Sequence, residues 1–146
     1  MRLWRISNYA DLSGLGGLRF SARWHTRGRP IVYAAEHPSA ALTEMLVHVA
    51  REDLPDNYRL LTIDCPDDVS AETIRIEDLP ENWKADHLIT RAIGDRWLHE
   101  AKCLLLRVPS AIVPDVWNIL INPAHPDAAG LSIIKNEGVL IDPRLR

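Results

Sequence analysis

Gly28 and Pro30 interrupt the chain just before Ile31-Val32-Tyr33, and Pro38 interrupts it again just after, so no single helix or strand can run from Arg23 to His48. Glycine supplies the backbone freedom a turn needs, and proline lacks the N–H and the φ range that would let a regular element continue. Arg23-Trp24-His25 therefore stands before a turn at Gly28, a short strand ends on Tyr33, and a helix follows that carries Glu44. Three successive elements that must fold back on one another deliver a guanidinium, a phenol ring and a carboxylate.

Pro38 occupies a first helical position, where its fixed φ suits the helix. Leu42, Met45, Leu46 and Val49 recur at helical spacing and predict one apolar stripe facing a core. At about 100° per residue Glu44 falls opposite Leu42, beside His48 and Arg51. Read by spacing alone, Glu44 is a solvated charge paired with His48. A functional Glu44 requires another part of the chain to cover that face.

The 146 residues suit one domain with a substantial core, taken here as residues 1–146. With 47% hydrophobic and 25% charged residues, the composition is that of an ordinary globular protein. A net charge of −3 argues against a general nucleic-acid binder, which would carry a basic patch. Cys65 and Cys103 sit in apolar runs and read as small buried hydrophobes in a reducing compartment. Neither they nor the six scattered histidines have metal-ligand spacing, so no metal site is expected. There is no secretory leader pattern and no run near the roughly 20 apolar residues of a membrane span, which makes a cytoplasmic protein the expectation.

The Gly-rich loop Asp11-Leu12-Ser13-Gly14-Leu15-Gly16-Gly17 fails as a dinucleotide fingerprint, because the third required glycine falls on Arg19. No Gly-Lys-Ser/Thr follows it either, so any nucleotide is bound without the usual glycine cradle. Strands are predicted at Leu3–Ile6, Tyr58–Cys65, Thr73–Ile76, Cys103–Val108, within Val113–Ile121, and at Leu131–Ile134 and Val139–Ile141. A turn is expected at Leu54-Pro55-Asp56-Asn57, and Asn136-Glu137-Gly138 reads as the hairpin turn between the last two strands. A second helix spans Asp86 to Ala101, with Ile89, Ala92, Ile93, Trp97 and Ala101 at helical spacing despite Gly94. Strands and helices do not alternate regularly, which predicts an α+β class: one compact domain of mixed β-sheets with flanking helices.

Arg23-Trp24-His25 with Gly28, Pro30, Tyr33 and the Glu44 helix resembles the opening signature of RES-domain proteins. Trp117-Asn118-Ile119-Leu120-Ile121-Asn122-Pro123-Ala124-His125-Pro126 is similar to the family's second signature, and Asp142-Pro143-Arg144-Leu145 to its usual close. The naming arginine, glutamate and serine map to Arg23, Glu44 and Ser110. The resemblance covers nearly the whole chain. It implies a fold similar to the mono-ADP-ribosyltransferases, consumption of NAD as substrate rather than cofactor, and a toxin role. It also implies an Xre-like helix-turn-helix antitoxin as partner and leaves a homodimer open, with neither nucleic acid nor membrane bound directly.

Cleavage of a nicotinamide–ribose bond passes through an oxocarbenium-like sugar. Glu44 is the candidate to stabilise that charge and to accept from the C2 hydroxyl. Tyr33 would hold the cationic nicotinamide by stacking, with Trp24 as a second wall. Arg23 would fork onto diphosphate oxygens. Ser110 would reach the ribose or orient Glu44, and Asn118 is a further substrate-binding candidate. Each has a plainer reading: a surface arginine, a packed tyrosine, a turn serine, and asparagines at 118 and 122 satisfying backbone groups. His125 reads as structural. Beside hydrolysis or phosphorolysis of NAD stand a protein mono-ADP-ribosyltransferase using the same pocket, an endoribonuclease using His25 or His48 with Glu44, and a catalytically dead interaction module.

Overall fold

A computed structural model describes residues 1–48, 58–139 and 141–145. Val49, Arg51, the turn expected at Leu54-Pro55-Asp56-Asn57, and Leu140 lie outside the described residues. Seven strands form one mixed sheet: β1 (Arg2–Ser7), β2 (Val32–Ala35), β3 (Arg59–Asp64), β4 (Ala71–Thr73), β5 (Leu105–Pro109), β6 (Trp117–Ile121) and β7 (Ser132–Gly138). Their spatial order is β4-β5-β6-β2-β1-β3-β7, antiparallel throughout except for the parallel β4–β5 pair. The helices are α1 (Pro38–His48) and α2 (His87–Glu100). This is the α+β class predicted, with one sheet rather than several. Among the described residues no helix is long and apolar enough to cross a membrane.

The period of two divides the core. Leu3, Val32, Ala34, Ile63, Leu105, Ile119 and Ile121 fill one face, against which Leu12, Val69, Ala128 and Leu131 pack. The opposite face carries both helices. There Leu106, Val108 and Leu120 pack with Trp97 and Leu98 of α2 and with Trp24 and Trp83, while Ala35 packs with Ala40 and Ala41 of α1. Tyr33 pairs with Leu120 and Ala35 with Asn118, so both Tyr33 and Asn118 belong to the helix-bearing face.

Asp86 caps α2 by accepting from the Leu88 amide at 3.0 Å, and Ala101 ends it in the left-handed region at φ 50°. Its buried residues are Thr90, Gly94, Trp97 and Leu98, while Ala92, expected on the stripe, is exposed. The hairpin predicted at Asn136-Glu137-Gly138 is absent: β7 runs straight through it, paired with β3 from Ser132 to Gly138. A two-residue hairpin turn requires positive φ, and Gly138 does not adopt it. The strand predicted at Thr73–Ile76 ends at Thr73, and a 3₁₀ turn follows over Ile76–Asp78.

Candidate active site

Only Trp4 and Ala35 pair in register between β1 and β2, whereas β1 and β3 pair along the full strand. Past that point the two strands part, and a cleft of about 300 Å³ opens, lined by Trp4, Arg5 and Ile6 of β1, Tyr33 to Ala35 of β2, Asn118 of β6 and Tyr58. Helix α1 supplies the remaining wall through Ala41, Glu44, Met45 and His48. These four recur at i, i+3, i+4 and i+7, one helical face. Of the expected stripe Met45 is buried, whereas Leu42 and Leu46 are only half-buried and Ala40 and Ala41 are buried in their place, so the face is turned. That rotation carries Glu44 onto the sheet instead of into solvent, and its side chain is 27% exposed.

One oxygen of Glu44 is held twice. Ser110 Oγ donates to Oε1 at 2.9 Å and Asn118 Nδ2 donates to the same atom at 2.7 Å. Ser110 Oγ itself accepts from the amides of Ile112 and Val113 at 3.1 and 3.2 Å, so its single proton is committed to the carboxylate. Oε2 is left for the cleft, with His48 Nε2 at 3.9 Å. Charge-assisted bonds of this kind fix rotamer and direction together. Ser110 thus contacts Glu44 directly.

Tyr33 shares this cleft with Glu44, and Arg23 does not. The Arg23 guanidinium donates to the Lys84 carbonyl at 2.8 Å and lies 5.9 Å from the Trp83 ring centroid. Trp24, expected as a second wall, is 2% exposed and packs on Trp83 with ring centroids 6.1 Å apart. The indole that does line the cleft is Trp4. Arg5, which nothing in the sequence singles out, also lines the cleft. Its Nη1 is enclosed without a partner, Nη2 makes one long bond to Ser7 Oγ at 3.5 Å, and Asp11 offers only a longer-range attraction. Alternation along a strand gave no hint of it.

A second hollow of about 250 Å³ adjoins the first and shares Arg5, Ile6, Ala22 and Tyr33 with it. Gly16, Gly17, Phe20 and the buried His25 form its far side. Gly17 allows close approach: a Cβ there would stand 2.5 Å from the Arg29 carbonyl oxygen. Asn122 and His125 are structural, as expected. The Asn122 side chain bonds the Leu98 carbonyl and the Ala124 amide, and His125 caps the turn at Pro126–Gly130.

Burial pushes the His25 imidazole below its ordinary value, opposed by the carbonyls of Gly17 and Phe20 and by Asp95, and assisted by Arg91. The unfolded chain then takes up a proton near pH 6.5 that the folded chain refuses, so stability present above that pH is lost as pH falls. The melting temperature is expected to drop between pH 7 and pH 5 by more in wild type than in His25→Asn. Parallel melting curves would refute the assignment.

The RES domain family matches this chain over residues 2–142. The chain is 51% identical over 135 residues to Toxin Res of Pseudomonas putida, covering 91% of this chain and 92% of that protein. It is 41% identical to the Prs ADP-ribosylating toxin of a Sphingobium species, covering 97% of this chain and 94% of that protein. Among solved structures, the M. tuberculosis MbcT–MbcA toxin–antitoxin complex contains a chain that superposes with a TM-score of 0.77 at 18% identity, covering 94% of this chain and 83% of that one.

Proposed function

This chain belongs to the RES domain family, and from that premise we propose that it is a toxin that consumes NAD by cleaving the nicotinamide–ribose bond. The observation that carries the reading is the Glu44 carboxylate, pinned through Oε1 by Ser110 and Asn118 with Oε2 turned to an aromatic-walled cleft. The C1′–N bond breaks with its electron pair passing to the nicotinamide nitrogen, so the ring leaves neutral and needs no strong acid. Glu44 Oε2 stabilises the sugar cation and accepts from the C2 hydroxyl. The oxygen of water, which gives up a proton to solvent, or an oxygen of phosphate then bonds C1′.

The rings of Tyr33 and Trp4 hold the cationic nicotinamide, an attraction of roughly 0.5–2 kcal/mol. Arg5 is assigned the diphosphate, since its enclosed Nη1 has no partner and is costly until an acceptor arrives. Arg23 neighbours the cleft-lining Ala22 and is the second candidate cation, at the expense of its bond to Lys84. Arg5→Gln is expected to raise KM for NAD about tenfold, the loss of one charge-assisted contact. Arg23→Gln should have a smaller effect, and the reverse order would exchange their roles.

A second reading, transfer of ADP-ribose to a protein, is favoured by the name of the Sphingobium relative. The same pocket would serve both. Full-length protein incubated with NAD, with and without phosphate, should release nicotinamide with ADP-ribose or its phosphate. A labelled protein with little free product would favour transfer, and intact NAD in every arm would overturn both. The partner proposed is an Xre-like helix-turn-helix antitoxin, and the place of action the cytoplasm, where NAD is plentiful and the free thiols of Cys65 and Cys103 persist.

A further inference from the structure

We propose that His25 is a positioning residue for Tyr33: its Nδ1 accepts the phenol proton, and this bond fixes the ring that walls the cleft. The inference rests on the reading of that ring as the nicotinamide wall. His25 Nδ1 lies 2.8 Å from Tyr33 Oη, and the two ring centroids are 5.7 Å apart. A hydrogen bond at that distance fits either direction, so the surroundings must choose. Tyr33 Oη already accepts from the Trp24 amide at 3.3 Å. With that lone pair taken by the amide, the phenol's own proton is left for the other group in contact with Oη, and His25 Nδ1 is placed to accept it. A neutral imidazole with its lone pair on Nδ1 carries its proton on Nε2, which is enclosed and forms no hydrogen bond, the cost of holding the ring there. The proton therefore sits on Nε2, the lone pair on Nδ1, and the phenol donates.

The consequence is chemical. The Tyr33 hydroxyl is spent on His25 and Trp24, and burial pushes the phenol above its ordinary value. Tyr33 thus offers the cleft its ring and takes no part in proton transfer. His25 can act as a fixed post because its segment is clamped. The His25 carbonyl accepts from the Ala22 amide at 3.0 Å, and Thr26 donates twice to Asp95, at 2.8 and 2.7 Å. Besides Asp95, the charged group that acts on His25 from α2 is Arg91, whose Nε donates to the Ala22 carbonyl at 2.8 Å.

The test is a double-mutant cycle on the full chain. His25→Leu and Tyr33→Phe should each raise KM for NAD three- to tenfold, the equivalent of one hydrogen bond, with kcat little changed. The double variant should be no worse than either single one, because both remove the same bond. His25→Asn, whose amide oxygen can accept in place of Nδ1, should restore most of the affinity and guards against a Leu variant that fails to fold. Nitrogen-15 spectra of the wild-type imidazole should show the Nε2–H tautomer. Losses that multiply in the double variant, or an Nδ1–H tautomer, would overturn the proposal. If wild type leaves NAD intact, the reading of the pocket fails instead, and the tautomer, which needs no substrate, decides the hydrogen bond by itself.

Discussion

Glu44→Gln is expected to lower kcat/KM for NAD by on the order of a thousandfold while the melting temperature stays near that of wild type. The substitution is chosen because it separates charge from geometry. A glutamine keeps one carbonyl oxygen, which can still accept from Ser110 Oγ and Asn118 Nδ2, so both donors remain satisfied and the helix face keeps its shape. What disappears is the negative charge at the cleft. A developing sugar cation loses its counter-charge in a partly enclosed site, and several kcal/mol of transition-state stabilisation go with it, each 1.36 kcal/mol being about tenfold in rate. Ground-state binding depends on the rings and on Arg5, so KM should move far less than kcat. Ser110→Ala and Asn118→Ala should fall between Gln and wild type, since each frees the carboxylate without discharging it. A Glu44→Gln protein that turns over NAD within a fewfold of wild type would take Glu44 out of the chemistry.

The sequence made the elements of this site legible but mislocated several of its members, for identifiable reasons. Tyr33 at a strand end and Glu44 on the next helix were visible because turn chemistry at Gly28, Pro30 and Pro38 fixes where those elements begin and stop. The face of α1 is legible only at Met45, because the rest of its buried side is built on Ala40 and Ala41, whose small side chains register weakly beside Leu42 and Leu46. Arg5 was invisible: nothing local to Leu3-Trp4-Arg5-Ile6 says that β1 will part from β2 and leave a guanidinium enclosed. The sequence neighbours of Arg23 point to the cleft, whereas Trp83 and the Lys84 carbonyl, distant in the chain, hold its side chain. Trp24 follows the same rule, drawn into the core by Trp83. The last strands were split at Asn136-Glu137-Gly138 because those residues suit a turn, but Asn136 instead grips Arg59 across the ladder, its Oδ1 accepting from Arg59 Nε at 2.6 Å.

The largest effect on stability is expected from Gly94→Ala, in a helix where alanine would ordinarily be favoured by up to ~1 kcal/mol. A Cβ at Gly94 would stand 1.6 Å from the Trp24 carbonyl oxygen and 2.7 Å from its carbon. Both are backbone atoms, so no rotamer change relieves the clash, and α2 must move off the segment that precedes β2. That segment is tied to the same helix face by Thr90 Oγ1 donating to the Arg23 carbonyl at 2.5 Å, by Arg91 on Ala22 and by Asp95 on Thr26. Displacing α2 strains all of these together and lifts Trp97 and Leu98 from Leu106 and Leu120. Overpacking against backbone with loss of such a cluster costs roughly 3 kcal/mol or more. For a chain of this size that corresponds to a melting temperature lower by about 10 °C. Gly16→Ala is the control, since a Cβ there meets nothing within 4 Å, and it should melt close to wild type. The damage should reach the cleft as well, because His25 rides on the clamped segment and holds Tyr33. A Gly94→Ala protein that melts with wild type would mean that α2 and Trp24 do not meet backbone to backbone, and the clamp under the cleft would have to be redrawn.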